Sequence, residues 1–209
     1  MKLVIFGATG TIGRQVVTQA LEQGHQVTAF SRHPEKLNLQ QENLQLFAGD
    51  VMDMATVERA IKNQDAVVCV LGSGKKLFGK VRSEGTRNII QAMEKTGVRR
   101  LICQSTLGAG ESWNNLDFYW KYVMFGFVLR KVFADHLIQE KLVEQSQLDW
   151  TIIRPGAFTD GDRTGNYRHG FPTDDRAITL TISAADVADF ILQQLTNSLY
   201  IGKRPGLSY

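Results

Sequence analysis

The chain has 209 residues, 43% hydrophobic and 22% charged, an ordinary globular mix at a length that suits one domain with one sizeable core. A net charge of +3, with no run of five or more like charges, argues against nucleic acid and leaves a small anionic molecule as the expected partner. Cys69 and Cys103 sit in apolar strand-like runs, AVVCVLG and RLICQST, without metal-ligand spacing, so buried reduced thiols are expected and no metal.

The chain enters an apolar strand at once, KLVIF at 2–6, leaving no signal-peptide hydrophobic region, and a cytoplasmic location is expected. FGATGTIGRQVV follows at 6–17, and RQVVTQALEQG continues with apolar residues at helical spacing to a glycine. In a strand–loop–helix order the three glycines take separate tasks. Gly7 makes the tight exit from the strand, Gly10 clears room for a pyrophosphate, and Gly13 lets the helix pack closely on the sheet. The amides and positive dipole end of the helix starting near Thr11 would face the phosphates. The spacing is GxxGxxG and not GxGxxG; an ordinary strand-to-helix turn is the alternative, and the flanking strand and helix favour a dinucleotide.

The second strand, 26–31, ends in Phe30, Ser31 and Arg32, where an NAD binder usually carries an acid for the ribose 2′-OH. A guanidinium can instead pair with a 2′-phosphate, and Lys36 lies one helical turn on, so NADPH is the expected cofactor. The third strand, 44–48, runs into FAGDVMD. Asp50 can accept from an adenine amino group while Val51 covers the ring face, or Asp50 or Asp53 can cap the next helix. After the fourth strand, 65–71, comes LGSGKKLFGKVRSEG, which is not a phosphate-binding GxxxxGK[ST] loop because Cys69 and Lys76 stand where Gly and Ser or Thr are needed. Gly72 lets the chain pass the cofactor's ribose, and Lys75, Lys76, Lys80 and Arg82 form a basic loop, either solvated or attracting an acidic substrate.

The fifth strand, 99–104, ends at Ser105, expected to hydrogen-bond the nicotinamide amide or an acceptor heteroatom, or to cap local backbone. The most apolar window, FYWKYVMFGFVL at 118–129, is broken by Lys121 and falls short of the roughly 20 residues of a membrane span. The sixth strand is 149–154, and a short seventh is expected near ITLTI, 178–182. Strands alternating with helices give an α/β class, a single doubly wound parallel sheet in the order 3-2-1-4-5-6 with helices on both faces and ligands beyond the carboxyl ends of its strands.

GATGTIG, the SR pair, GDV, SEGTRNII and STLGAG together resemble the atypical short-chain dehydrogenases/reductases with an NmrA-like NAD(P)-binding fold, and among them the NADPH-dependent reductases of biliverdin-IXβ and free flavin. The resemblance runs from residue 1 to about 110 and resumes from ADHLIQEKL. It implies that Gly7, Thr9, Gly10, Thr11 and Ile12 hold the pyrophosphate, Arg32 the 2′-phosphate, and Asp50 and Val51 the adenine. It also implies that Leu71 and Gly72 flank the ribose, that Ser105 lies beside the nicotinamide, and that His136 and Pro155 lie close to the cofactor. Two departures bear on the acceptor: Gly156 stands where that reductase has a histidine, and an aromatic-rich insertion, near 111–133, supplies a lid, a core or an interface.

No tyrosine has a lysine four residues on, so the Tyr-x-x-x-Lys proton donor of typical relatives is absent. A localised alkoxide needs such a donor, whereas an extended conjugated acceptor spreads the charge and can take its proton from solvent. The expected activity is therefore hydride transfer from NADPH to a planar conjugated acceptor, a bilin or flavin. Trp113, Phe118, Tyr119, Trp120, Phe125 and Phe127 are candidates for a stacking wall, and Arg130, Lys131 and Arg168 for meeting acidic substituents. The alternative is a non-catalytic NADP sensor or assembly factor that docks through the aromatic segment. Oligomeric state stays open.

Overall fold

The computed structural model describes residues 1–72 and 79–209. In chain order the elements begin with β1 (Lys2–Phe6), α1 (Thr11–Glu22), β2 (Gln26–Ser31), β3 (Leu44–Ala48), α2 (Met54–Ile61) and β4 (Ala66–Cys69). Then come α3 (Val81–Thr96), β5 (Arg100–Gln104), a π-helical segment (Tyr119–Val128), α4 (Arg130–Glu144) and β6 (Asp149–Pro155). Four short strands and one helix complete the chain: β7 (Ala157–Thr159), β8 (Arg168–His169), β9 (Thr181–Ser183), α5 (Ala184–Gln193) and β10 (Gly206–Ser208).

The main sheet is eight-stranded, in the order β3-β2-β1-β4-β5-β6-β10-β8, and only β8 runs antiparallel to its neighbour. β1 and β4 are buried along nearly their whole length because helices cover both faces, which is why each reads as a continuous apolar run. Alternate residues of β1 serve opposite cores. Leu3 and Ile5 pack with Val16, Ala20 and the α5 residues Val187 and Ile191; Val4 and Phe6 pack with Val57, Ile89 and Met93 of α2 and α3.

The expected order of the first six strands is found, but the seventh position is corrected. The 178–182 stretch does not join the main sheet: Leu180 has φ +61°, which breaks the extended run, and only Thr181–Ser183 pairs, with Ala157–Thr159, in a separate two-stranded sheet. β10 takes the place beside β6.

Register aligns the carboxyl ends that matter. Phe6 lies opposite both Phe30 and Cys69, Cys69 opposite Cys103, and Gln104 opposite Ile153. One rim therefore collects the glycine loop, Ser31, Leu71, Ser105 and Pro155. Cys69 and Cys103 are buried free thiols, as their surroundings predicted. Among the described residues no His, Cys, Asp and Glu cluster can hold a metal, and no helix is long and apolar enough to cross a membrane.

Candidate functional site

The glycine loop is shaped by close approach. Gly7 has φ +87°, and a Cβ there would stand 2.4 Å from the Val70 carbonyl oxygen. At Gly13 a Cβ would come within 2.1 Å of the Gly7 carbonyl, so α1 can seat against the loop only without a side chain. Gly10 is different: an added Cβ would meet only the Gly7 oxygen, at 3.3 Å, and its other side is open. Gly10 is the N-cap of α1 and offers no side-chain acceptor, so the first-turn amides that begin with Thr11 and Ile12 are available to an anion. This cradle fits a dinucleotide's diphosphate, and Thr9 lies within it.

Arg14, which the sequence reading passed over, ties this loop to the next. Its Nε donates to the Thr9 carbonyl (3.2 Å) and its Nη2 to the Lys36 carbonyl (2.6 Å). The loop after β2 is thereby held beside the glycines, with Arg32 and Lys36 exposed on it. Ser31 accepts a hydrogen bond from the His33 N–H at 3.1 Å, which turns the chain at Arg32.

At the end of β3 the two acids divide their tasks. Asp53 caps α2, accepting from the amides of Ala55 (3.1 Å) and Thr56 (3.5 Å) and from the Thr56 hydroxyl, and these bonds hold its carboxyl below its usual range. Asp50 accepts from the Met52 amide at 3.0 Å and remains exposed. Val51 is buried; the Asn88 side chain bonds its carbonyl at 2.9 Å, and Val51 and Leu71 both crowd the α3 glycine, Gly85. Gly72 is exposed next to Leu71. Lys75 and Lys76, two residues of the expected basic loop, lie outside the described residues.

Ser105 and His136 meet behind this rim. Both are buried, and Ser105 Oγ lies 3.5 Å from His136 Nδ1. Burial, and secondarily the Arg82 guanidinium, pull the imidazole's pKa from 6.5 to about 3, so it is neutral at any ordinary pH. The preceding residue, Asp135, accepts from the backbone amides of Arg82 and Ser83 and from the Ser83 hydroxyl, docking α4 onto the start of α3.

A cavity of about 190 Å³ opens beside this pair. Ser105, His136, Arg82 and Gln104 give it polar groups, and Leu107, Trp120, Phe125, Leu129, Pro155 and Leu180 give it apolar walls. A larger hollow, about 370 Å³, lies among Lys2, Gln26, Asn43 and Lys62 at the amino ends of the strands, away from the glycine loop. Ligands of such sheets bind at the carboxyl ends, so the smaller cavity is the relevant one.

The aromatic insertion divides. Trp120 and Phe125 line the cavity, while Trp113 packs on Phe133 and joins a small core with Leu107, Leu116 and Ile178. Phe118, Tyr119 and Phe127 face outward and are no part of a stacking wall. Arg168 pairs with Asp175 at 2.5 Å on the β8 side, and it does not line the cavity. Gly156 and the insertion residue Val132, both on the acceptor side in the sequence, also line the cavity, and so does Leu180, which no motif marks.

The architecture is shared with proteins of known structure. The oxidoreductase ylbE from Lactococcus lactis is 27% identical with a TM-score of 0.84, covering 100% of this chain and 90% of that one. ChuY, an anaerobillin reductase from Escherichia coli O157:H7, is 26% identical with a TM-score of 0.79, covering 100% and 97%. The photosystem II assembly factor Ycf39 from Synechocystis sp. is 29% identical over 165 residues, 77% of this chain, which spans 46% of that protein's length. The NAD(P)H-binding family matches residues 7–198, and with the glycine cradle at the head of a doubly wound sheet this chain belongs to that family.

Proposed function

We propose that this protein is an NADPH-dependent reductase of a planar conjugated acceptor, a bilin or a free flavin. The observation that carries the proposal is the cavity at the carboxyl ends of β5 and β6: the aromatic rings of Trp120, Phe125 and Phe158 and several aliphatic side chains line it with a buried serine–histidine pair, and among the described residues no tyrosine lines it. When bound, NADPH supplies a hydride. The chain's own residues orient and shield. The α1 amides and Gly10 grip the diphosphate, Arg32 and Lys36 take the 2′-phosphate, and Asp50, Val51, Leu71 and Gly72 border the adenosine. Ser105 orients the nicotinamide amide or an acceptor heteroatom, and neutral His136 fixes its hydroxyl. Trp120 and Phe125 stack on the acceptor, and because a conjugated acceptor spreads its charge and no tyrosine among the described residues lines the cavity, the proton comes from solvent.

The name of ChuY, an anaerobillin reductase, supports a bilin. The likeness to Ycf39 supports the other reading, a non-catalytic NADP-binding assembly factor. Mixing the protein with NADPH and following nicotinamide absorbance while biliverdin or FMN is added separates the two. Oxidation with either acceptor is the expected result, and none with both, alongside tight NADP binding, leaves the assembly factor.

A further inference from the structure

The outer surface of the insertion has the chemistry of a face that rests on lipid. The π-helical segment is apolar nearly all round and carries one charge, Lys121, yet Phe125 is its one buried residue. A helix of that composition is normally enclosed. Here Phe127 is 84% exposed and Phe118 73%, and Tyr119, Tyr122, Val123 and Val128 are exposed with them. Phe118 and Tyr122 rings pack against each other, 4.9 Å between centroids, so the face is already formed without a partner.

Charge selects the occupant. From Asp117 to Asp135 the chain carries no acid between its ends, while Lys121, Arg130 and Lys131 accompany the aromatics, and Asp135 is buried against Ser83. Aromatic and aliphatic side chains bordered by cations match the boundary between acyl chains and anionic headgroups, where rings enter shallowly and ammonium and guanidinium groups meet phosphates. We propose that the face formed by Phe118, Tyr119, Tyr122, Val123, Phe127 and Val128 docks this protein on anionic membrane surfaces, peripherally and without a span. The same segment lines the cavity with Trp120 and Phe125, so docking sets the reaction chamber against the bilayer. The docking itself does not depend on the reductase reading.

Vesicle flotation tests it. The full chain is mixed with phosphatidylcholine vesicles and with vesicles containing phosphatidylglycerol, at low and high salt, and its oligomeric state is measured by light scattering. Preferential flotation with the anionic vesicles, weakened by salt, is expected. Phe118→Ser/Phe127→Ser, both exposed, and Lys121→Glu/Arg130→Glu, the first half-buried and the second exposed, should each lower binding by about tenfold or more while NADP affinity stays unchanged. No flotation, flotation indifferent to both double substitutions, or a dimer that Phe118→Ser/Phe127→Ser dissociates in the absence of vesicle binding would each overturn the proposal, the last by assigning the face to a second copy of the chain.

Discussion

Ser105 Oγ lies 3.5 Å from His136 Nδ1, with both residues buried, one at the end of β5 and the other a turn and a half into α4. A serine so placed can present its hydroxyl to the cavity only in the direction its neighbour allows. Ser105→Ala is expected to lower turnover by about tenfold, the worth of one well-placed hydrogen bond, with NADP affinity within about twofold of the parent. Stopped-flow and calorimetry check the two halves, and unchanged turnover would return Ser105 to a local backbone role.

His136 also sets a pH dependence of stability. Its folded pKa of about 3 lies below the ordinary 6.5, so between those values the unfolded chain binds a proton that the folded chain refuses. Stability is then complete above 6.5 and falls as pH drops through the window, by up to about 1.4 kcal/mol per pH unit from this residue. Urea titrations at several pH values should show a shallower decline below pH 6.5 for His136→Gln than for the parent. Parallel slopes would contradict the assignment.

Cofactor choice should divide between two arginines. Arg32 is exposed on the loop after β2, where it can reach a 2′-phosphate; Arg32→Asp is expected to weaken NADPH by about 10- to 100-fold and NADH little. Arg14 holds that loop to the Thr9 carbonyl, so Arg14→Leu should loosen the cradle and weaken both dinucleotides together. Equal losses of NADPH and NADH in Arg32→Asp would remove it from the phosphate site.

The first six strands and the glycine loop were legible because their signals are local: an apolar run before Gly7, helical spacing after Gly13, and β-branched runs that end at turns. The seventh strand was not. ITLTI has the composition of a strand, but Leu180 adopts a left-handed conformation there, and the true neighbour of β6 is Gly206–Ser208, too short to show a period. Which aromatics face the cavity was equally hidden, since Trp120 and Phe127 look alike in sequence and differ only in which side of the π-helical segment they occupy. Ser105 is marked in the sequence by its place at a strand end; its partner lies 31 residues on, and only the docking of α4 through Asp135 brings it near.

Glu140 and Arg154 form a two-pronged buried ion pair, at 2.9 and 2.6 Å, between α4 and β6. Arg154 also reaches Glu111 at 2.9 Å, so the pair anchors the start of the insertion. Removing Glu140 leaves the buried Arg154 guanidinium only the half-exposed Glu111 carboxylate as an ion-pair partner. Glu140→Ala should cost about 3 kcal/mol, seen as a lower denaturation midpoint, and Glu140→Ala/Arg154→Met should recover part of it. A larger loss in the double variant would mean that packing by the arginine stem, and not charge, dominates.

Gly156 stands where the resembled reductase has a histidine, and the backbone forbids that histidine here. A Cβ on Gly156 would lie 2.4 Å from the Leu180 carbonyl oxygen and 2.6 Å from its carbon. The same carbonyl accepts the Ala157 N–H at 2.8 Å, so it cannot swing away without breaking the β7–β9 pairing. Gly156→Ala should therefore cost about 1–3 kcal/mol through forced backbone movement, and Gly156→His more. For a chain of this length each kcal/mol lowers Tm by about 2–4 °C, well within the reach of calorimetry. Because Gly156 and Leu180 both line the cavity, either variant should also raise KM for the acceptor before it affects NADP binding. A Gly156→His protein with parental Tm and KM would show that Leu180 yields readily, and that the acceptor side of the cavity is open to the chemistry of the histidine-bearing relatives.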